Sequence, residues 1–329
     1  MELTPNKVVR AQNRLKSVLT PTPLLRSNVL DSLVGGRVWL KAESLQGIGS
    51  FKIRGAYNAL AAAGNQRRSA GVVAGSSGNH AQGIAQAARW LGCPARIVMP
   101  TDAPIGKRAA VEALGAEIID YDRYRQDREQ ICKQLAEASG ALMISAYDHP
   151  DVIAGQGTVG LEIMQSDVFA QAAPDQVLVC CGGGGLTAGV SLAVHAHAPE
   201  THIIAVEPAQ ANDTQRSFSA GVRVALDGVP NSICDALLPP MPGKLTFPIM
   251  QQHLRKVVTV SDDEALYAVG FAYRCLRLLL EPGGAVALAA VLFNKVTLEG
   301  KSTVAILSGG NIDDAMLARA LRYFDKASE

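Results

Sequence analysis

The sequence predicts an α/β protein with two domains, each a mainly parallel twisted sheet flanked by helices. Short β-branched runs alternate with amphipathic segments up to about residue 144, the pattern of strand–helix–strand units. The turn-forming residues Tyr147-Asp148-His149-Pro150 interrupt that alternation, which resumes beyond them, so a hinge is expected there. A chain of 329 residues, 48% apolar but only 5% aromatic, is long enough for two units with alanine- and valine-rich cores.

In chain order, residues 6–19 have helical spacing, with Val8, Val9, Leu15 and Val18 on one face, and Thr20-Pro21-Thr22-Pro23 ends that helix. A strand over 37–43 delivers the stretch Gly47-Ile48-Gly49-Ser50-Phe51-Lys52, and a helix-like run follows from Ala56. Strands are expected at 72–74, 96–99 and 117–120, with helices after Gly78 and over 105–114. Past the break, the expectation is a helix over 152–165, a buried strand over 176–181, a glycine loop, a helix to about 198 and a strand over 202–207. A proline-rich, less regular stretch then leads to long helices over 262–280 and 285–295 and a last strand over 302–307.

Thirty-one Lys and Arg against 30 Asp and Glu leave a net charge of +1, which speaks against nucleic acid or a membrane surface as partner. The start lacks a secretion signal, and Arg274, Arg277 and Glu281 break the apolar stretch around them, so a soluble cytoplasmic protein is expected. The six cysteines show no CxxC spacing and read as small core hydrophobes.

Five stretches carry chemistry. Lys52, between small residues and a helix start, is a Schiff-base candidate if its amine is partly desolvated. Gly182-Gly183-Gly184-Gly185-Leu186 joins a strand to a helix, where bare backbone N–H groups at the positive end of the helix dipole suit a phosphate. A dinucleotide stays open, because Gly183, Gly185 and Ala188 satisfy G-x-G-x-x-A and Glu207 ends the next strand, whereas a P-loop is excluded for want of Gly-Lys-Ser/Thr. The loop Ser76-Ser77-Gly78-Asn79-His80 offers donors for a carboxylate, or a plain helix cap. Ser308-Gly309-Gly310-Asn311 puts a hydroxyl after a strand, and Glu207 with Asp213 and a carbonyl between them could hold a hard cation such as Mg²⁺ or Ca²⁺. His195 and His197 point to different helix faces and are poor joint ligands.

Taken together, these motifs, with 99–107 (Met-Pro-Thr-Asp-Ala-Pro-Ile-Gly-Lys), Gly155-Gln156-Gly157-Thr158 and Val206-Glu207-Pro208, resemble the fold-type II pyridoxal-phosphate enzymes, within them the threonine/serine dehydratase and serine racemase family, over nearly the whole chain. The resemblance implies a tryptophan synthase β-like fold, with 1–70 and 149–329 as a large cofactor-binding domain and 71–148 as a small substrate-carboxylate domain. It implies pyridoxal 5'-phosphate held covalently by Lys52, flanked by Phe51, hydrogen-bonded by Asn79, cupped by Gly182, Gly183, Gly184, Gly185 and Leu186, and met at its ring nitrogen by Ser308. A neutral serine there favours elimination over transamination.

Ser76, Ser77, Asn79 and His80 would bind the substrate carboxylate, with Arg128 as a second contact, and Glu207, the Ala211 carbonyl and Asp213 match the family's cation site. The implied activity is an ammonia-lyase (dehydratase) acting on a 3-hydroxy amino acid, in a homodimer that binds a small-molecule substrate. Ser77 stands where racemases of this family carry Ser, so an amino-acid racemase with Lys52 and Ser77 as opposed bases is the alternative. The segment 232–243 departs from the Ala-Asp-Gly pattern associated with threonine enzymes, which admits hydroxyaspartate or a hydroxyectoine-derived amino acid as substrate. A non-catalytic ligand-binding relative is the third reading. The chain ends after the expected catalytic core, so no isoleucine feedback is expected.

Overall fold

The computed structural model describes residues 3–228 and 230–327, and contains two sheets among them. The strands are β1 (Leu24–Arg26), β2 (Arg37–Ala42), β3 (Val72–Gly75), β4 (Ala95–Pro100), β5 (Glu117–Tyr121), β6 (Leu142–Met143), β7 (Gln176–Cys180), β8 (His202–Pro208), β9 (Leu254–Val260) and β10 (Ser302–Leu307). One sheet has the order β1-β2-β10-β7-β8-β9, the other β5-β4-β3-β6. Every pairing is parallel except β1 with β2. Central strands such as β7 are buried along their whole length, as helices on both faces require.

Each sheet has its own apolar core. One is built on β7, β8, β10 and the helix Pro282–Leu292, buried along all but its last residue; the other combines β3 and β4 with the helices Lys52–Arg68 and Asn79–Leu91. Helix Lys52–Arg68 thus packs through Ile53, Ala56, Tyr57 and Leu60 into the core of the four-stranded sheet, although its first residue follows a turn bonded to the six-stranded one. Its other neighbour is helix Pro150–Met164, and the approach is close: a Cβ on Gly155 would stand 2.6 Å from the Arg54 carbonyl oxygen. This accounts for Gly155; at Gly157 the close neighbour is helix Gly185–His195, where a Cβ would stand 2.7 Å from the Gly189 carbonyl oxygen.

Several expected elements differ in extent. The helix starting at Asp262 is closed by a capping box between Ser261 and Glu264 but ends at Phe271, not 280. A wider π turn, Ala272–Leu276, follows, and Arg277 at φ 59° ends the helical run and turns the chain toward Glu281. Strand β9 and the helices Asn28–Val34, Arg128–Ser139 and Asp314–Ala327 have no counterpart in the sequence reading. Strand β9 carries Arg255 and Lys256, and as an edge strand it buries only its ends fully, which blurs its pattern. Among the described residues, no helix is long and apolar enough to cross a membrane. The outer ends of the expected large domain, 1 and 329, lie outside the described residues.

Candidate active site

A cavity of about 650 Å³ lies between the two sheets and is lined by Phe51, Lys52, Ser76, Ser77, Asn79, the four glycines and Ser308, among others. The lysine turn is sewn to the loop after β10. Phe51 N–H donates to the Ser308 carbonyl at 3.1 Å, Gly310 N–H to the Gly49 carbonyl at 2.8 Å, and Asn311 Nδ2 to the Ile48 carbonyl at 2.8 Å. Segments more than 250 positions apart in the chain therefore meet, so that Lys52 and Ser308 face one space.

Lys52 Nζ donates to the Ala146 carbonyl at 2.9 Å and sits 5.1 Å from the Phe51 ring centroid. No carboxylate pairs with it among the described residues. Burial drives its pKa down to about 8, opposed by the nearby Cys180 and Glu281. Two residues on, Arg54 is locked into buried carboxylates, donating to both oxygens of Glu43 at 2.7 and 2.8 Å and to both of Glu162 at 2.6 and 2.8 Å. That double fork fixes the first turn of the helix that carries Lys52.

The glycine loop follows β7 and opens helix Gly185–His195, with Gly184 at φ 88°. A Cβ on Gly183 would fall 2.3 Å from the Tyr147 ring, and one on Gly184 2.5 Å from the Met250 methyl, so side chains are excluded and the backbone N–H groups stay bare. Leu186 lies in the first turn of that helix and lines the cavity.

Ser308 Oγ accepts from Cys180 Sγ at 3.1 Å. Burial lifts the Cys180 thiol to about 11, which keeps it protonated as the donor, so the Ser308 hydroxyl proton remains for a ring nitrogen in the cavity. Asn79 is held from both ends: its Oδ1 accepts from Asn311 Nδ2 at 2.6 Å and its Nδ2 donates to Glu281 Oε1. The second Nδ2 hydrogen is left for a ligand oxygen. Glu281 itself is pushed up to about 7, chiefly by burial and next by Asp235. These features fit pyridoxal phosphate: a desolvated amine, a side-chain-free anion cradle, a neutral donor for the ring nitrogen and an amide for the phenolic oxygen.

Ser76 and Ser77 line the cavity at the head of helix Asn79–Leu91, with Gly78 N–H donating to Ser76 Oγ at 3.2 Å. Arg128 lines it too, from the first position of helix Arg128–Ser139. His80 does not. Its ring is buried, Nε2 lies 3.1 Å from the Ile144 carbonyl oxygen, and burial together with Lys52 holds its pKa down to about 3. As the second residue of the helix it turns its ring beneath the loop, so its side chain is a support and not a lining group.

Glu207 and Asp213 are both fully buried behind the glycine loop, and Ala211 lies buried between them in the chain. Glu207 accepts from the N–H groups of Thr214 at 3.0 Å and Gln215 at 2.8 Å, while both Asp213 oxygens lack any partner among the described residues. Burial raises Asp213 to about 7; burial and then Asp213 itself raise Glu207 to about 8. Among the described residues no three His, Cys, Asp or Glu side chains converge as metal ligands, so a cation there would need carbonyls or water to complete its shell. Cys181 Sγ, 3.4 Å from Thr214 Oγ1, joins this corner to the cradle.

Nothing in the sequence marks Cys180, Glu281 or Tyr147 as site residues. The only signal is indirect: Cys180 ends a strand just before the glycines, and Glu281 precedes a Pro-Gly-Gly helix start.

The family model described as pyridoxal-phosphate dependent enzyme matches residues 15–309. An L-threo-3-hydroxyaspartate ammonia-lyase of Pseudomonas sp. is 44% identical over 315 residues, 96% of this chain and 97% of that protein. A serine racemase of Schizosaccharomyces pombe is 40% identical over 94% of each chain. The crystal structure of a T.th. threonine deaminase superposes with a TM-score of 0.89 at 41% identity, over 94% of this chain and 99% of that one.

Proposed function

The chain belongs to the family of pyridoxal-phosphate-dependent enzymes, and from that premise we propose that it is an ammonia-lyase converting a 3-hydroxy amino acid to a 2-keto acid and ammonia. The observation that carries this reading is the Lys52 amine, enclosed, paired with no carboxylate among the described residues and shifted down to about 8 beside an anion cradle. The names of the similar proteins, acting on 3-hydroxyaspartate and threonine, support 3-hydroxyaspartate, threonine and serine as substrates to test.

Bound pyridoxal phosphate supplies an electron sink for negative charge at the substrate α-carbon. Lys52 would hold it covalently, Gly182, Gly183, Gly184, Gly185 and Leu186 would surround its phosphate, Phe51 would flank its ring, and Ser308 and Asn79 would donate to its ring nitrogen and phenolic oxygen. The Ser76–Ser77 loop at a helix N-terminus would hold the substrate carboxylate, which fixes the α-hydrogen relative to Lys52. Lys52 Nζ takes that proton as a neutral amine, a state that its lowered pKa makes accessible near neutral pH. Loss of the 3-hydroxyl as water leaves an enamine, which hydrolyses to keto acid and ammonia.

Ser77 in the cavity lining favours one second reading, an amino-acid racemase in which its hydroxyl serves the opposite face of the α-carbon. The orphaned Asp213 oxygens support a Mg²⁺ or Ca²⁺ site with Glu207 and the Ala211 carbonyl. A large domain of 1–70 and 149–329 with a small one of 71–148, a cytoplasmic location and a homodimer without nucleic-acid or membrane partners complete the proposal.

The test is a panel of serine, threonine and 3-hydroxyaspartate stereoisomers assayed for keto acid, ammonia and inverted amino acid. Keto acid and ammonia in equal amounts support the lyase; inverted amino acid that disappears in Ser77→Ala supports the racemase. Failure to release ammonia from any of them would sink the lyase reading and revive a non-catalytic binding role.

A further inference from the structure

The two helices that hold the anion cradle are joined at both ends. At the near end, helix Gly185–His195 starts in the glycine loop, and the chain around the start of helix Thr246–His253 grips that loop. Thr246 Oγ1 donates to the Gly183 carbonyl at 2.6 Å, Gly243 N–H donates to the same oxygen at 3.2 Å, and Met250 packs on Gly184. Halfway along, Ile249 packs on the buried cluster of Val8, Leu161, Leu192 and Ala193. At the far end the last residue of each helix is a histidine, one turn beyond Leu192 and Ile249. The rings of His195 and His253 stack there, with centroids 4.8 Å apart and planes inclined by 28°.

The stack suits neutral rings. His195 Nδ1 lies 3.2 Å from the Ser191 carbonyl oxygen, which only accepts, so this nitrogen carries the proton and Nε2 is bare in the neutral ring. Both rings are half-buried and titrate below the ordinary imidazole value: burial lowers His195 against the pull of the Ser191 carbonyl, and burial and then His195 lower His253. The elements packed around the pair carry Lys7, Arg10 and Arg14 on helix Pro5–Leu15, Asp151 and Glu162 on helix Pro150–Met164, and Cys180 on β7. The segments flanking the two helices carry His197, Glu200, His202, Arg255 and Lys256. None of these groups shifts either ring. Each ring lies in the last turn of its helix, where the carbonyl ends favour one positive charge. A second would stand face to face with the first, with no carboxylate acting on the pair to offset it.

We propose that the His195–His253 stack is an acid-sensitive clasp: the pair takes one proton while stacked, and the second parts the two helices and loosens the glycine loop that Thr246 holds. A histidine whose pKa is lowered by folding adds stability above its ordinary value of 6.5 and loses it as pH falls below that value. The clasp therefore holds at neutral pH and weakens in acid. Its link to the cofactor rests on the reading of that loop as the phosphate cradle.

The experiment replaces one ring at a time by a ring that stacks but does not titrate, in His253→Phe and His195→Phe. Melting temperatures of the full chain are followed from pH 8 down to 5.5, with pyridoxal phosphate added and without it. Relative to both variants, the unaltered protein is expected to lose about 3 °C per pH unit below 6.5, with a constant difference above it. Release of pyridoxal phosphate after dilution of the holoenzyme, followed by its visible-edge absorbance, should be about tenfold faster in the unaltered protein than in the variants at pH 5.5 and equal at pH 8. Melting differences that stay the same at every pH would overturn the clasp. Melting differences that grow in acid while the release rates stay equal would separate the clasp from the loop and overturn the proposal too. An unaltered protein that takes up no pyridoxal phosphate at any pH would overturn the function proposed above together with the cradle half of this proposal, while the melting curves decide the clasp itself.

Discussion

Lys41 and Lys52 stand at either end of one short connection, and both amines are withdrawn from bulk water, yet the chain treats them oppositely. Lys41 is fully buried and donates to Glu162 at 2.6 Å and to the Thr22 carbonyl at 2.6 Å, in the cluster where Arg54 forks onto Glu43 and Glu162. Lys52 opens on the cavity and has a single carbonyl for a partner among the described residues. Desolvation lowers both pKa values, and two carboxylates oppose it for Lys41, while at Lys52 the counterweights are a thiol and a carboxyl shifted up to about 7. The acids divide in the same way: Glu43 and Glu162 are fully engaged, whereas Asp213 has no described partner for either oxygen. Buried charge that is paired holds the frame, and buried charge left short of partners is held in reserve for a ligand.

The sharpest way to break the comparison is Lys52→Ala. It should lower keto-acid formation by about 10⁴-fold or more and abolish the visible-edge absorbance of the holoenzyme, yet leave the melting temperature of the cofactor-free protein nearly unchanged, because no buried counter-charge is stranded. Arg54→Met should do the reverse in kind. Stranding Glu43, and leaving Glu162 with Lys41 alone, costs about 3–5 kcal/mol, seen as a melting temperature lowered by roughly 10 °C in differential scanning calorimetry. If Arg54→Met melts like the parent protein, the cluster is not the frame.

Two smaller effects sharpen it. With a Lys52 pKa of about 8, the neutral amine grows with pH, so capture of pyridoxal phosphate by cofactor-free protein should speed up about tenfold per pH unit below 8 and level off above it. Stopped-flow absorbance between pH 6 and 10 would show this, and a rate still climbing at pH 10 would contradict a desolvated lysine. Chelator should lower the melting temperature by a few degrees, with Mg²⁺ or Ca²⁺ restoring it, and Asp213→Ala should remove the response. A chelator without effect would leave the Asp213 oxygens unexplained.

Much of the frame is legible along the chain because its signals are local. The apolar run Val177-Leu178-Val179 can only be a buried strand once glycines follow it, and Gly182 to Gly185 can only be a loop with bare N–H groups. Lys52, Ser77, Asn79 and Ser308 are within reach because each belongs to a short motif at a strand or helix end. Strand β9 and helix Arg128–Ser139 are not, since polar faces dilute the period of elements with one solvated side.

The sequence groups His80 with its neighbours on the substrate, but one step along a helix rotates a side chain by about 100°, enough to turn its ring away from the cavity and onto Ile144. The alternation of strands and helices, the family's motifs and the chemistry they imply are thus all present in the order of the residues. Which lysine is spent and which is free, that Cys180 donates to Ser308, and that Glu281 meets Asn79 are not. Those pairings join residues up to more than 200 positions apart, and packing two sheets against each other, not any local pattern, brings them together.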